Sequence, residues 1–104
     1  MELLHVGVPT DQVQPGEKYK DALKVYLTNP DDNEYHFEYF RYVEGSPMPE
    51  MIQKSIHVAM KVDDLKAALA DCDEVLVESL KGTGRTMAFA VKDGVVLEFI
   101  QYDK

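Results

Sequence analysis

The chain has 104 residues, of which 45% are hydrophobic and 29% charged, and this composition is typical of a single globular domain. Its formal net charge is -8, which argues against nucleic acid and anionic membranes as partners and favours a metal ion or a cationic small molecule. No apolar run approaches the roughly 20 residues that span a bilayer. The single Cys72 cannot form an internal disulfide, and the start MELLHVGVPT lacks a signal-peptide pattern, so we expect a reduced, cytoplasmic protein.

The first half of the chain predicts strands without a helix. A strand over LLHVGVPT comes first, and it is followed by DQVQPGEKYK, where Pro15-Gly16 and the lack of apolar periodicity predict a loop or a single turn. DALKVYLTNPDDNEYHFEYFRYV then predicts a hairpin that turns at Asn29 to Asn33. EGSPMPEM contains two prolines and a glycine, so residues 45–53 are expected to be a linker.

The second half predicts the order β-α-β-β-β. SIHVAMKV alternates apolar and other residues, as a strand with one apolar face does. DDLKAALADC predicts a helix that Asp63 or Asp64 can cap. DEVLVES is a further predicted strand, Gly82-Thr83-Gly84-Arg85 is expected to be a turn, and two final strands are joined at Asp93-Gly94, a strong hairpin signal.

The two halves of the chain resemble each other. LLHVGVPT and SIHVAMKV both contain His-Val at the same place, and HFEYFRY and VLEFIQY both contain a glutamate four residues before a tyrosine. Each half therefore begins with a strand that carries a histidine and ends with a strand that carries a glutamate. A strand glutamate such as Glu38, set among aromatic residues, is costly to bury without a partner.

Strand alternation predicts which side chains share a face. His5 lies opposite Leu4, Val6 and Val8, and Glu98 shares its face with Val96, Ile100 and Tyr102. Glu38 shares its face with His36, Phe40 and Tyr42. If each half curls its sheet, one concave side would hold two histidines and two glutamates, and a shared cation would satisfy both carboxylates.

The segments LHVGVPT, HFEYFRY, IHVAMKVDDLKAALA and VVLEFIQY resemble the vicinal oxygen chelate superfamily, which includes glyoxalases, bleomycin-resistance and fosfomycin-resistance proteins, and extradiol dioxygenases. The resemblance covers nearly the whole chain and is most specific in the second half. It implies an α+β fold in which two β-α-β-β-β modules, residues 1–44 and 54–104, form a half-barrel cup. The first module has its helix shortened or lost.

The same resemblance implies a site for one divalent metal, with Ni, Zn, Co, Mn or Fe as candidates. The ligands carried over position by position are His5, Glu38, His57 and Glu98. A glyoxalase-like lyase or isomerase would act on a small substrate with vicinal oxygens through an enediolate-type intermediate, with Glu98 as the catalytic base. The candidates for substrate binding are Tyr42, Lys61 and Tyr102.

Each of these residues also has a structural interpretation. His5 could be an ordinary structural histidine, Glu98 could face solvent on an edge strand, and the tyrosines could only pack. His36 could compete as a ligand, although we expect it to be a hydrogen-bond partner of Glu38.

The alternative function is non-catalytic binding of a cationic or aromatic compound, as in bleomycin-resistance proteins. An idle ancestral metal site and extradiol dioxygenase chemistry are weaker alternatives. Because the missing helix would leave Leu4, Val6 and Val8 uncovered, we also expect a homodimer.

Overall fold

The computed structural model describes all residues, Met1–Lys104, and contains eight strands and two short α-helices. The strands form a mixed β-sheet, which confirms the predicted α+β class. The chain divides into two compact units: the first unit is His5–Ile56, and the second unit is His57–Lys104 together with Met1–Leu4. None of the helices is long and apolar enough to cross a membrane.

The first unit is built on four strands. They are β1 (Glu2–Pro9), β2 (Lys18–Lys20), β3 (Val25–Leu27) and β4 (Phe37–Tyr42). Their order is β2-β3-β4-β1; β1 and β4 are parallel, and the other neighbours are antiparallel. Residues 10–17 form a loop, as predicted, and no helix separates β1 from β2.

The turn between β3 and β4 forms where the sequence predicts it. A short 3₁₀ helix, Pro30–Asp32, begins after Asn29, whose side chain accepts a hydrogen bond from the Asp31 backbone N–H. The side chain of Asn33 accepts from the backbone N–H groups of Tyr35 and Phe37 and so fixes the start of β4. The predicted linker, in contrast, contains an unforeseen helix α1, Glu50–Lys54.

The second unit repeats this strand arrangement and adds a helix. Its elements are β5 (His57–Lys61), α2 (Leu65–Ala70), β6 (Glu74–Gly82), β7 (Arg85–Lys92) and β8 (Val95–Tyr102). The order is β5-β8-β7-β6, with β5 parallel to β8 and antiparallel pairs elsewhere. The predicted cap and turn are both present, since the Asp64 side chain accepts from the backbone N–H of Ala67 and Asp93-Gly94 joins β7 to β8.

Helix α2 covers one face of the second unit's strands. Its Ala68 is buried together with Val62, Ala90 and Phe99, and Leu65 and Leu69 pack against this cluster. The cluster accounts for the apolar periodicity of the helix, because the helix buries one stripe of side chains against the sheet.

The first unit has no helix between its first two strands. Because directly paired residues share a face, the register places Val6 beside Phe37 and Val8 beside Tyr39. We call this surface the aromatic face; its members are Val6, Val8, Tyr19, Tyr26, Phe37 and Tyr39. No helix lies between β1 and β2, and the grouping of the strands into two modules around a cup stays a prediction.

Candidate metal centre

The first unit brings a histidine and a glutamate together across β1 and β4. Glu38 on β4 is paired with Gly7 on β1. Since Gly7 and His5 are two residues apart on β1, their side chains point to the same face, and Glu38 lies on that face too. His5 Nε2 lies 3.4 Å from Glu38 Oε1. His5 is 9% exposed and the Glu38 side chain is 21% exposed, so this contact is only partly shielded from solvent.

The second unit repeats this pair across β5 and β8. Ala59 is paired with Glu98, and His57 Nε2 lies 3.1 Å from Glu98 Oε1. His57 and Glu98 are 4% and 6% exposed. The solvent-facing interpretation of Glu98 is therefore wrong, because its strand runs between β5 and β7 and its side chain is buried.

The two pairs are equivalent in register. In each unit the histidine lies on the first strand, and the glutamate lies opposite the residue two positions further on, Gly7 or Ala59. The sequence signal is His-Val followed by glycine or alanine, which repeats in both halves.

Three of the four predicted ligands, His5, Glu38 and His57, are a possible metal-binding triad, because each offers one atom of a type that binds metals.

Apolar side chains surround the pair of the second unit. The Phe89 ring contacts the His57 ring edge-on, with the ring centroids 5.5 Å apart, and Phe89 is also the residue paired with Glu98. Val96 and Ile100 on β8 are buried. These neighbours keep water away from the Glu98 carboxylate. A cation or a hydrogen-bond donor beside it therefore stabilises its charged form more than it would in water.

The predicted substrate-binding residues lie in different environments. Tyr42 is half-buried and meets the Phe40 ring edge-on at 5.6 Å, and Tyr102 is exposed at the end of β8. Lys61 is exposed and lines a cavity of about 540 Å³ in the second unit. That cavity is also lined by Met1, Glu2, Val62, Asp63, Asp64, Ala67, Ala68 and Asp71.

His36 does not bind Glu38, and the expectation that it would is wrong. Strand β4 begins only at Phe37, and His36 has a φ of 55°, which interrupts the alternation of faces on which the expectation depended. Its exposed side chain instead lies 3.8 Å from Asp31.

Arg85 is a residue that the sequence assigned only to a turn. It begins β7 and is paired with Tyr102, so it lies on the face of Ile100 and Glu98. Strand alternation could have placed it there, had the turn been limited to Thr83-Gly84.

Comparisons with protein-family models, with curated proteins and with solved structures found no match. The family resemblance therefore stays a prediction, and the argument for a metal centre depends on the geometry of the two histidine–glutamate pairs.

Proposed function

We propose that the protein is a glyoxalase-like, metal-dependent lyase or isomerase whose small substrate carries oxygen atoms on adjacent carbons. In this proposal His5, Glu38, His57 and Glu98 hold one divalent transition metal. The observation that carries the proposal is the recurrence of a histidine–glutamate contact at the same register in both units. Each unit thus supplies one imidazole and one carboxylate at matching positions.

The donor set fits a divalent transition metal. Imidazole nitrogens and carboxylate oxygens without a thiolate suit Ni, Zn, Co, Mn or Fe. Ligand bonds of about 2.0–2.2 Å place donors on opposite sides of an ion roughly 4 Å apart. In this proposal the ligand atoms of His5, Glu38 and His57 come to about this separation around the ion.

A metal held by these residues would supply Lewis acidity, which would polarise a substrate carbonyl and make the neighbouring C–H bond more acidic. Glu98 accepts the proton from that carbon on a carboxylate oxygen and delivers it to the adjacent atom. The buried side chains of Phe89 and Ile100 lie on the same face of the sheet as Glu98. Tyr42, Lys61 and Tyr102 are the substrate contacts in this proposal, and the reaction takes place in the cytoplasm.

Metal binding by the purified, untagged protein tests the ligand set. Isothermal titration with Ni, Zn or Mn should give one equivalent per chain, and His5→Ala, His57→Ala, Glu38→Gln and Glu98→Gln should each weaken binding at least about tenfold. His36→Ala is the matched control, because it removes the remaining histidine, which lies exposed beside Asp31. Glu78→Gln serves the same purpose for the carboxylates, since Glu78 is exposed on β6.

Proton transfer tests the chemistry separately from metal binding. We expect the metal-loaded protein to catalyse exchange of deuterium into the carbon next to a carbonyl in small hydroxycarbonyl compounds, measured by NMR. Glu98→Gln and Glu38→Gln both remove a ligand, but only Glu98→Gln should abolish exchange when excess metal restores occupancy. Tight metal binding without exchange for any small dicarbonyl or hydroxycarbonyl compound would instead favour the non-catalytic binding function.

A further inference from the structure

A positively charged residue lies on the same sheet face as Glu98. Arg85 on β7 is paired with Tyr102 on β8, and Glu98 lies four residues before Tyr102 on that strand. Four residues of a strand span roughly 13 Å. The structure shows no ion pair between Arg85 and Glu98, and the spacing of their backbone positions would let one small molecule reach both side chains.

Gly82 gives the Arg85 side chain room to lie along the sheet. A Cβ atom at Gly82 would meet Met87 Cε at 3.0 Å, Arg85 Cγ at 3.5 Å and Arg85 Nε at 3.6 Å. The arginine stem occupies the space that a side chain at position 82 would take. As a result Arg85 Nε is buried and has no hydrogen-bond partner.

Several other cations of this acidic chain, including its other arginine, lie beside carboxylates. Arg41 binds Glu17, and Lys54, Lys81 and Lys92 each lie within 4.0 Å of a carboxylate. Arg85 binds no carboxylate. An arginine in this setting presents a planar, permanently charged fork whose buried donor lacks a partner, which is the group that carboxylates and phosphates bind best.

We propose that Arg85, assisted by the Tyr102 hydroxyl, binds a carboxylate or phosphate group of the substrate. This inference rests on the proposed function and narrows its substrate class to small anions that carry the negative group several atoms away from the vicinal oxygens. Lys61 is less suited to this role, since it is exposed and shares its cavity with Asp63 and Asp64.

Arginine Nε–H signals in ¹H–¹⁵N NMR spectra of the metal-free protein test the inference. The chain contains only two arginines, Arg41 and Arg85, so Arg41 is an internal control that is already bound to Glu17. Titration with inorganic phosphate, and separately with acetate, should shift the Arg85 signal saturably and leave the Arg41 signal in place. The stronger of the two titrations identifies the preferred anion.

Three variants separate the role of Arg85 from that of net charge. Arg85→Gln should weaken binding of the preferred anion at least about tenfold, and Arg85→Lys should retain part of it, because lysine keeps the charge without the fork. Lys81→Gln removes one positive charge from the same hairpin on the opposite face, where Lys81 binds Asp103, and should leave binding unchanged.

The inference would be overturned by an Arg85 signal that does not move, or by equal linear shifts of both arginine signals. Both results are measured on the unmodified protein, so they do not depend on whether a variant folds. If the protein binds metal but no anion, the role of Arg85 is rejected and the proposed function is kept. If it binds the anion but no metal, the proposed function is rejected and Arg85 is kept as an anion site.

Discussion

Replacing His57 and Glu98 together by leucine should stabilise the metal-free protein. Both side chains are almost fully buried, and Phe89, Val96 and Ile100 provide buried apolar surroundings. Replacing a buried ionisable pair with well-packed hydrophobic residues is often neutral or stabilising by about 1–4 kcal/mol. If the pair serves metal binding, it lowers the free energy of unfolding of the metal-free protein. The double variant should then have a higher free energy of unfolding than the metal-free parent protein.

The magnitude follows from burial and from the fit of the new side chains. Burying a leucine side chain fully contributes about 1.5–3 kcal/mol, and imperfect packing of a changed shape costs about 1–3 kcal/mol. A net gain of about 1–2 kcal/mol is therefore expected for the pair. For a chain of this size each 1 kcal/mol shifts the melting temperature by about 4–8 °C, so an increase of roughly 5–15 °C should be measured.

Thermal and urea unfolding of metal-stripped protein, followed by circular dichroism, measures this change. Glu98→Leu alone should destabilise, because it leaves His57 buried without its carboxylate. Phe99→Ala is a reference variant. It should lower the free energy of unfolding by about 3–5 kcal/mol, because Phe99 is 1% exposed in the cluster under α2. A double variant that is more than about 1 kcal/mol less stable than the parent protein would show that the pair supports the fold, and it would refute this reasoning.

Three further predictions concern the rest of the molecule. We expect a homodimer at micromolar concentration by light scattering, weakened by Phe37→Ser or Tyr39→Ser on the aromatic face; a monomeric parent protein would contradict the expectation. The Arg41 guanidinium holds the pKa of Glu17 below its usual 4.5, so Glu17→Gln should destabilise at pH 7, and this difference should disappear as the pH falls well below 4.5. Asp64→Ala should cost about 1 kcal/mol in urea unfolding through loss of the α2 cap, whereas an unchanged midpoint would contradict this.

Local signals in the sequence predicted much of the fold. Asp64 before an apolar periodic segment gives α2, and Asp93-Gly94 gives the β7–β8 turn, because both structures depend on residues close together in the chain. Strand β2 and helix α1 are only three and five residues long and were not predicted. Segments this short form through pairing and packing with distant residues, which a single sequence does not display.

For the candidate site, too, the sequence predicted what depends on local patterns and missed what does not. The faces of Glu38 and Glu98 followed from strand alternation, which holds within regular strands. It failed at His36, where the backbone turns to positive φ just before β4 begins. The sequence did not identify Arg85 as a site residue, because its place on the face of Glu98 depends on where the turn after β6 ends. Turn boundaries are the least reliable part of a sequence interpretation.

The central claim is that the two histidine–glutamate pairs share one ion, and X-ray absorption spectroscopy of the protein loaded with Ni or Zn tests it most directly. We expect one metal per chain with two imidazole ligands, a single imidazole in His5→Ala or His57→Ala, and two in His36→Ala. Two equivalents of metal with one imidazole each, or a wild-type spectrum without imidazole, would contradict the account.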